Sequence, residues 1–214
     1  VKAMQTLDSI GDRIRQLLED KNAARDRALQ LSRTLIRHCA NAIRAAHRDE
    51  RDIARGHLGE ARMLVDTLRE ELSCYPDLYH AGYTQDALKE YAEASIVYAL
   101  LGGEPLPDPD ALRVEYAAFL CGLGEAAGEL RRRVLDLLRR GSSAEAETLL
   151  SAMDDIYALL VTIDFPDAIT GNLRRTTDMV RGVTERTRGD LTTSFQQEQL
   201  KAALKSVESK LGGS

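Results

Sequence analysis

Apolar residues recur every three or four positions through most of the chain, which is the period of an α-helix. One stretch runs from residue 7 to residue 43, and a second runs from Ile53 to Leu72, ahead of Pro76. No strand-like alternation bounded by turn residues occurs in the sequence. The pattern predicts an all-α fold, a single helical bundle of about six to seven helices. The first stretch consists of Leu7, Ile10, Ile14, Leu17, Leu18, Leu31, Leu35, Ile36, Cys39 and Ile43.

Glycine and proline mark the ends of the third predicted helix. It begins at about Pro76 or Asp86 and ends near Leu101, where GGEPLPDP combines two glycines with three prolines. Both residue types interrupt a helix, so a break is expected here.

The second half of the chain predicts three further helices. Asp108 and Pro109 form an N-cap and a first helical residue, and the helix continues to Arg140, where a glycine ends it. Ser142 and Glu145 form a capping box for a fifth helix. A last helix follows the loop DFPDAITG. Its predicted buried face consists of Leu173, Val180, Leu191 and Phe195.

Length and composition are those of an ordinary globular protein, with 214 residues, 43% hydrophobic and 29% charged. We expect one domain over residues 1–214, with residues 211–214 as a disordered tail. No run approaches the ~18 apolar residues of a membrane span, so no membrane partner is expected. Three cysteines without CxxC pairing and no apolar leader predict a reducing, cytoplasmic location.

Two pairs of glutamates stand at helical spacing in the third and fourth predicted helices. Glu90 and Glu93 lie three residues apart, and Glu125 and Glu129 lie four apart, so each pair projects from one helix face. Three glycines surround the second pair, and each costs a helix about 1 kcal/mol relative to alanine. Such a cost indicates close approach of another helix or of a ligand, and we expect the two pairs to converge.

Four converging carboxylates repel one another, so either one carboxyl holds a proton or a divalent cation neutralises them. Oxygen ligands favour Mg²⁺ or Mn²⁺ over zinc, and such a site supports hydrolysis of a phosphate ester. In the alternative interpretation, these are solvent-facing glutamates paired with Lys89 and with the arginines at 131–133. The pattern alone leaves both interpretations open.

Three stretches resemble the translin family, and within it the TRAX branch more than translin itself. KEYAEA at 89–94 matches the double-glutamate helix of TRAX, and EYAAFLCGLGEAAGELRR at 115–132 resembles the second acidic helix of the family. FPDAITGNLRRTTDMVRGVTERTRGDLT at 165–192 is similar to the C-terminal segment of prokaryotic, particularly archaeal, members. Together the stretches identify the chain as a TRAX-like member.

The resemblance implies a seven-helix fold, assembly into a closed hollow homo-oligomer, commonly an octamer, and single-stranded RNA or DNA bound inside. It also implies an Mg²⁺-dependent endoribonuclease, because the TRAX branch cleaves RNA whereas translin, which lacks the glutamate set, binds without cutting. On this resemblance Glu90, Glu93, Glu125 and Glu129 are the catalytic residues, as metal ligands and activators of water. Animal TRAX commonly has the shorter aspartate at the position of Glu125.

Arginine outnumbers lysine 23 to 6 and recurs at three, four or seven positions between Arg37 and Arg62. Guanidinium groups bind phosphates and stack on bases, which favours nucleic-acid binding. In the translin family a basic segment at the position of ARGHL, residues 54–58, is implicated in that binding. The alternative is a solvated face balanced by nearby acidic residues. The predicted nucleic-acid-binding residues are Arg44, Arg48, Arg51, Arg55 and His57.

Two other functions compete with RNA cleavage. A non-catalytic translin-type protein would bind single-stranded RNA or DNA in a salt-sensitive manner and release no product. An all-α nucleoside-triphosphate pyrophosphohydrolase would carry ExxE followed by ExxD, whereas the second pair here is ExxxE.

Overall fold

Every regular element in residues 2–211, the part of the chain that the computed structural model describes, is a helix. The all-α prediction is confirmed, with nine helices in this part instead of six or seven, because three of them are short four-residue segments. Of the predicted tail, residue 211 ends the last helix and residues 212–214 lie outside the described residues. The described helices include none with the length and apolar character that crossing a membrane requires. The helices are α1 (Lys2–His47), α2 (Arg51–Glu71), α3 (Pro76–Tyr79), α4 (Gly82–Gly102), α5 (Pro109–Leu112), α6 (Tyr116–Arg140), α7 (Ser143–Val161), α8 (Asp167–Thr170) and α9 (Leu173–Leu211).

The predicted fourth helix is divided into α5 and α6 by a residue in the left-handed conformation. Asp108 caps α5 as predicted, its side chain accepting two backbone N–H hydrogen bonds at 2.8 and 3.3 Å. The chain leaves the helical path at Arg113, whose φ is 59° and whose guanidinium lies 2.7 Å from Asp66. Val114 is thereby buried in the core. The prediction of one helix continuing to Arg140 is therefore wrong.

Two other helix starts differ from the prediction, whereas the stops agree with it. Pro76 begins the short α3, and α4 starts separately at Gly82. Ser142 precedes α7, but its side chain makes no capping hydrogen bond, so the capping box is wrong in that respect. Gly103 and Gly141 end α4 and α6 in the left-handed conformation, with φ of 65° and 78°.

Each long helix packs against one or more of the others, and α4 lies near the centre of the bundle. α2 lies antiparallel to α1, α1 packs on α4, α4 packs on α6, and α6 contacts both α7 and α9. Residues 91–99 of α4 are all buried, in agreement with the nearly all-round apolar sequence of this segment. One cluster of buried side chains includes residues from all six of these helices.

Gly122 and Gly124 account for two of the three glycines near the second glutamate pair. A Cβ at Gly122 would lie 2.7 Å from the carbonyl oxygen of Lys89 and 2.9 Å from the backbone nitrogen of Glu93, so α6 lies directly against the α4 backbone. A Cβ at Gly124 would overlap a side chain of α9. Gly128 has no atom within 4 Å of its added Cβ, and nothing in the structure explains it.

The ends of α1 and α9 extend past the packed helices. α1 has 46 residues, a length of about 69 Å, whereas its partner α2 has 21. Residues 6–20 are all exposed except the half-buried Gly11, and so are residues 195–208 of α9. Leu191 is the last buried residue of α9 up to residue 208, and Phe195 is 55% exposed, so the prediction that Phe195 is buried is wrong.

Candidate functional site

α4 and α6 bring together three of the predicted glutamates. Glu90 and Glu93 project from one face of α4, and Glu125 comes from α6, three residues after the Gly122 contact. Carboxylate oxygens of these three residues lie within 4.8 Å of one another. Glu93 is buried, with 8% of its surface exposed, and the other two are half-buried. The backbone approach at Gly122 is what allows side chains of the two helices to meet.

Glu129, the fourth predicted residue, lies beside this group and is held by a histidine. Its Oε2 is 2.6 Å from Nε2 of His47, the last residue of α1, and 3.6 Å from the guanidinium of Arg132. The hydrogen bond with His47 is the largest of the effects that lower the pKa of Glu129. Glu129 is therefore ionised at neutral pH and adds negative charge near Glu93.

Burial changes the acidity of the converging carboxylates. Burial, reinforced by the charges of Glu90, Glu125 and Glu129, raises the pKa of Glu93 to about 8. Burial also raises the pKa of Glu90. Glu93 is therefore mostly protonated at neutral pH when no cation is bound, and a cation that binds the ionised form must displace that proton.

Lys89 belongs to the site, although the sequence suggested it only as a surface partner. Its Nζ is 2.7 Å from Glu125 Oε1 and 3.6 Å from Glu90 Oε1. Burial lowers the pKa of Lys89, but the hydrogen bond to Glu125 and the nearby negative charges outweigh it, so the pKa is raised and the ammonium is charged. Among the described residues, Glu93 has no cationic group within 4.0 Å. The alternative interpretation is thus correct about the pairing with Lys89 and, for Glu129, with Arg132, but wrong about Glu93, which is buried.

A cavity of about 780 Å³ opens beside the glutamates. Lys89 and Glu125 form part of its wall, together with residues 167–172, which comprise α8 and the segment after it. Further acidic groups, those of Asp86 and Asp167, also line it. A ligand of nucleotide size can therefore approach the group from the Glu125 side.

Arg133 fixes the turn that carries His47. It donates hydrogen bonds to the Asp49 carboxylate at 2.8 Å and to the His47 carbonyl oxygen at 3.1 Å. His47 is 8% exposed, and its Nδ1 is buried without a hydrogen-bond partner among the described residues. The sequence gives no signal for this histidine, because the fold alone brings it to Glu129, 82 positions later.

Three of the predicted nucleic-acid-binding residues are exposed arginines near the turn between α1 and α2. Arg44, Arg48 and Arg55 all face solvent. Arg48 lies 4.0 Å from Glu50, and Arg55 lies 3.3 Å from Asp52. Exposed pairs of this kind contribute little energy, so these guanidinium groups can be recruited by another anion.

Arg51 and His57, the other two predicted binding residues, have partners inside the protein. Arg51 donates hydrogen bonds to the Tyr98 carbonyl oxygen and to Glu104, each at 2.6 Å, and its guanidinium lies 3.5 Å from the Tyr98 ring centroid. His57 Nδ1 lies 3.2 Å from Nδ1 of His38, between α1 and α2. Arg51 thus holds α2 against the end of α4, and the three exposed arginines are the stronger candidates for binding.

No protein-family model matches the chain. An uncharacterised protein of Methanocaldococcus jannaschii is 32% identical over 193 residues, which cover 89% of this chain and 85% of that protein. The crystal structure of AfC3PO is similar with a TM-score of 0.80 and 32% identity, over 87% of this chain and 97% of that chain. AfC3PO in complex with duplex RNA gives a TM-score of 0.77 and 32% identity, over 87% and 96%. The apo form of NeC3PO gives 0.73 and 25% identity, over 88% and 96%.

These C3PO structures are all-helical and of the translin/TRAX type, which agrees with the helical architecture described above. The relative from Methanocaldococcus jannaschii and AfC3PO are both 32% identical to this chain over most of its length. The chain belongs to the translin/TRAX family.

Proposed function

We propose that this protein is an RNA-binding endoribonuclease that uses Mg²⁺ or Mn²⁺ held by Glu90, Glu93 and Glu125. The observation that carries the proposal is the convergence of these carboxylates within 4.8 Å, one of them buried. Buried carboxylates are unfavourable unless a proton or a cation compensates their charge. Hard oxygen donors of this kind fit Mg²⁺ or Mn²⁺.

RNA is the proposed ligand because AfC3PO, which is 32% identical to this chain, forms a complex with duplex RNA. The exposed guanidinium groups of Arg44, Arg48 and Arg55 support phosphate binding, and His57 lies close to them in the sequence. We assign Arg51 a structural role, since its guanidinium already binds Tyr98 and Glu104. Single-stranded RNA is the proposed substrate of cleavage, and single-stranded DNA is a further candidate ligand.

The roles of the protein groups follow from their charges. Glu90, Glu93 and Glu125 would hold the divalent cation, which would supply Lewis acidity for attack of water on a phosphodiester. Glu129, which is ionised and hydrogen-bonded to His47, is assigned the acceptance of a proton from water. The cavity beside Glu125 is assigned the approach of the RNA backbone.

We further propose that copies of the chain form a hollow homo-oligomer, in the octameric form that the family resemblance implies. The support is a set of exposed apolar side chains at helical spacing on the projecting ends of α1 and α9, surfaces that favour association. Light scattering of the purified protein measures the assembly. These side chains are Leu7, Ile14, Leu17, Leu18, Phe195, Leu200, Leu204 and Val207.

Cleavage of a labelled single-stranded RNA tests the activity, with a duplex of the same sequence assayed in parallel. We expect product with Mg²⁺ or Mn²⁺ and none with a chelator. Glu93→Gln removes a ligand charge at nearly constant shape and is expected to slow cleavage about 100-fold or more while RNA binding is retained. Glu147→Gln, at an exposed position of α7, is the matched control and should cut like wild type. A Glu93→Gln variant that cuts equally fast would exclude the proposal.

Binding without cleavage is the second candidate, and the ion pair of Lys89 with Glu125 favours it, since an internal ammonium also neutralises a carboxylate. In that case binding would fall steeply with salt, would not depend on Mg²⁺ and would leave the RNA intact. Release of pyrophosphate from nucleoside triphosphates would instead select the pyrophosphohydrolase.

A further inference from the structure

Lys89 places a positive charge directly on the candidate cation site. Its Nζ contacts Oε1 of both Glu125 and Glu90, at 2.7 and 3.6 Å, and its side chain is 21% exposed. The lysine precedes Glu90 on α4, so the same helix supplies two of the acidic ligands and the cation that faces them. This arrangement neutralises part of the acidic group without any bound ion.

The ammonium and a divalent cation compete for the same carboxylates, those of Glu125 and Glu90. Mg²⁺ and Mn²⁺ bind carboxylates through direct oxygen contacts, and Glu125 Oε1 is already the acceptor of the Lys89 hydrogen bond. Two cations on one partly desolvated carboxylate repel each other strongly. The ammonium therefore has to move when a cation binds Glu125, and the adjoining cavity, whose wall includes both side chains, gives it room.

We propose that Lys89 is a resident counter-ion of the metal-free site, which a divalent cation must displace from Glu125 in order to bind. This inference rests on the proposed function. It assigns Lys89 two roles, since its ammonium weakens cation binding and stabilises the metal-free site. A purely supporting role predicts the opposite result, because loss of a supporting residue would leave the glutamates misplaced and would weaken cation binding.

Binding of Mn²⁺ to the full chain, followed by its electron paramagnetic resonance signal, tests this without an activity assay. Lys89→Met removes the charge and keeps an unbranched side chain, and we expect it to bind Mn²⁺ at least about tenfold more tightly than wild type. Lys89→Arg keeps the charge and should bind no more tightly than wild type. Lys21→Met is the matched control, since Lys21 pairs with Asp77 at 2.6 Å on the surface and its removal changes the net charge equally.

A thermal melt provides a second measurement on the same variants. In a chelator, Lys89→Met should melt below wild type because its glutamates lose their counter-ion, and saturating Mn²⁺ should raise its melting temperature more than that of wild type. If Lys89→Met does not fold in the chelator, Lys89→Gln replaces it in both measurements.

The outcomes separate this inference from the proposed function. Mn²⁺ binding by wild type that is unchanged or weakened in Lys89→Met would overturn the counter-ion role and leave the metal site standing. Equal tightening in Lys21→Met and Lys89→Met would also overturn it, because the effect would then be one of net charge. Absence of Mn²⁺ binding in wild type and in Lys89→Met would overturn both proposals.

Discussion

At the crossing of α4 and α6, Gly122 brings two backbones into contact, and Leu123 and Ala127 are 2% and 0% exposed. Near the start of α1, Leu17 and Leu18 follow the same helical spacing but are 63% and 61% exposed. The two regions differ in their neighbours and not in their pattern. At the crossing, other helices of the chain cover the apolar face and remove water from the glutamates. Helical spacing thus decides which side chains share a face. Contact with other helices decides whether the pKa values of acidic groups on that face are shifted.

Of the substitutions that test this difference between the two regions, Glu93→Gln is expected to change stability most, in the metal-free protein. The folded pKa of Glu93 is about 8, against an ordinary value of 4.5, so the folded state holds a proton that the unfolded state releases between these pH values. Wild-type stability should therefore fall as pH rises from about 4.5 to about 8 and stay low above it. Glutamine remains neutral, and the variant should lack this loss and melt well above wild type at pH 9.

Thermal melts in a chelator between pH 4.5 and pH 9 measure this difference. The gap between wild type and Glu93→Gln should close toward pH 4.5, where the wild-type carboxyl is also neutral. Glu147→Gln, on the exposed surface of α7, should follow the wild-type curve. Parallel curves for wild type and Glu93→Gln would mean that the crossing does not desolvate the carboxyl.

A smaller effect, and a loss of stability, is expected from Gly122→Ala, which separates α4 and α6. Its Cβ meets the backbone oxygen of Lys89 at 2.7 Å, and backbone cannot move aside cheaply, so we expect a destabilisation of about 1–3 kcal/mol. Gly128→Ala on the same helix is the matched control, because its Cβ meets no atom within 4 Å. There the higher helix propensity of alanine should stabilise the protein by about 1 kcal/mol.

Denaturant titration of both glycine variants gives the free energies of unfolding. Opposite signs are required if close approach explains Gly122. Stabilisation by both substitutions would show that α6 can shift away from α4 without cost.

The interior crossing could be predicted because its signals are local. Each signal can be read from one helix alone. On α4 these are the spacing of Glu90 and Glu93 and the apolar residues after them, and on α6 they are the glycines, which a helix disfavours. Gly122 shows why the glycines were informative, since a backbone contact excludes a Cβ at one residue. The sequence does not signal the break at Arg113, because the residue in the left-handed conformation there is an arginine and no glycine or proline marks the turn.

Lys89 and His47 were not predictable as site residues because their roles depend on distant parts of the chain. Lys89 meets Glu125 across 36 positions, and His47 meets Glu129 across 82. Before folding, each is an ordinary polar residue on a helix. Phe195 was misjudged for the converse reason, since its spacing matches a buried face but no part of the described chain covers it.

His47→Ala should cost less than the glycine substitution, about 1–2 kcal/mol, because Glu129 loses its shortest hydrogen bond but keeps Arg132 at 3.6 Å. The pKa of Glu129 is lowered in the folded state, so its contribution is present above the unfolded pKa and is lost as pH falls through the folded pKa. The difference between wild type and His47→Ala should therefore shrink as the pH falls below 4.5, the ordinary pKa of the group. His47→Gln, which retains a donor, should recover part of the stability in denaturant titrations at pH 7.

The smallest effect on the unfolding of a single chain is expected at the end of α1. Replacing Leu17 and Leu18 by serine should change the free energy of unfolding of a dissociated chain by no more than about 0.5 kcal/mol, because both are more than 60% exposed. Leu35→Ala is the control on the same helix, since Leu35 is 0% exposed and its truncation should cost about 2–5 kcal/mol. The serine variant should instead reduce the mass measured by light scattering, because these exposed leucines are proposed to contact other copies of the chain. An unchanged mass together with an unchanged unfolding energy would mean that this apolar surface supports neither the fold nor the assembly.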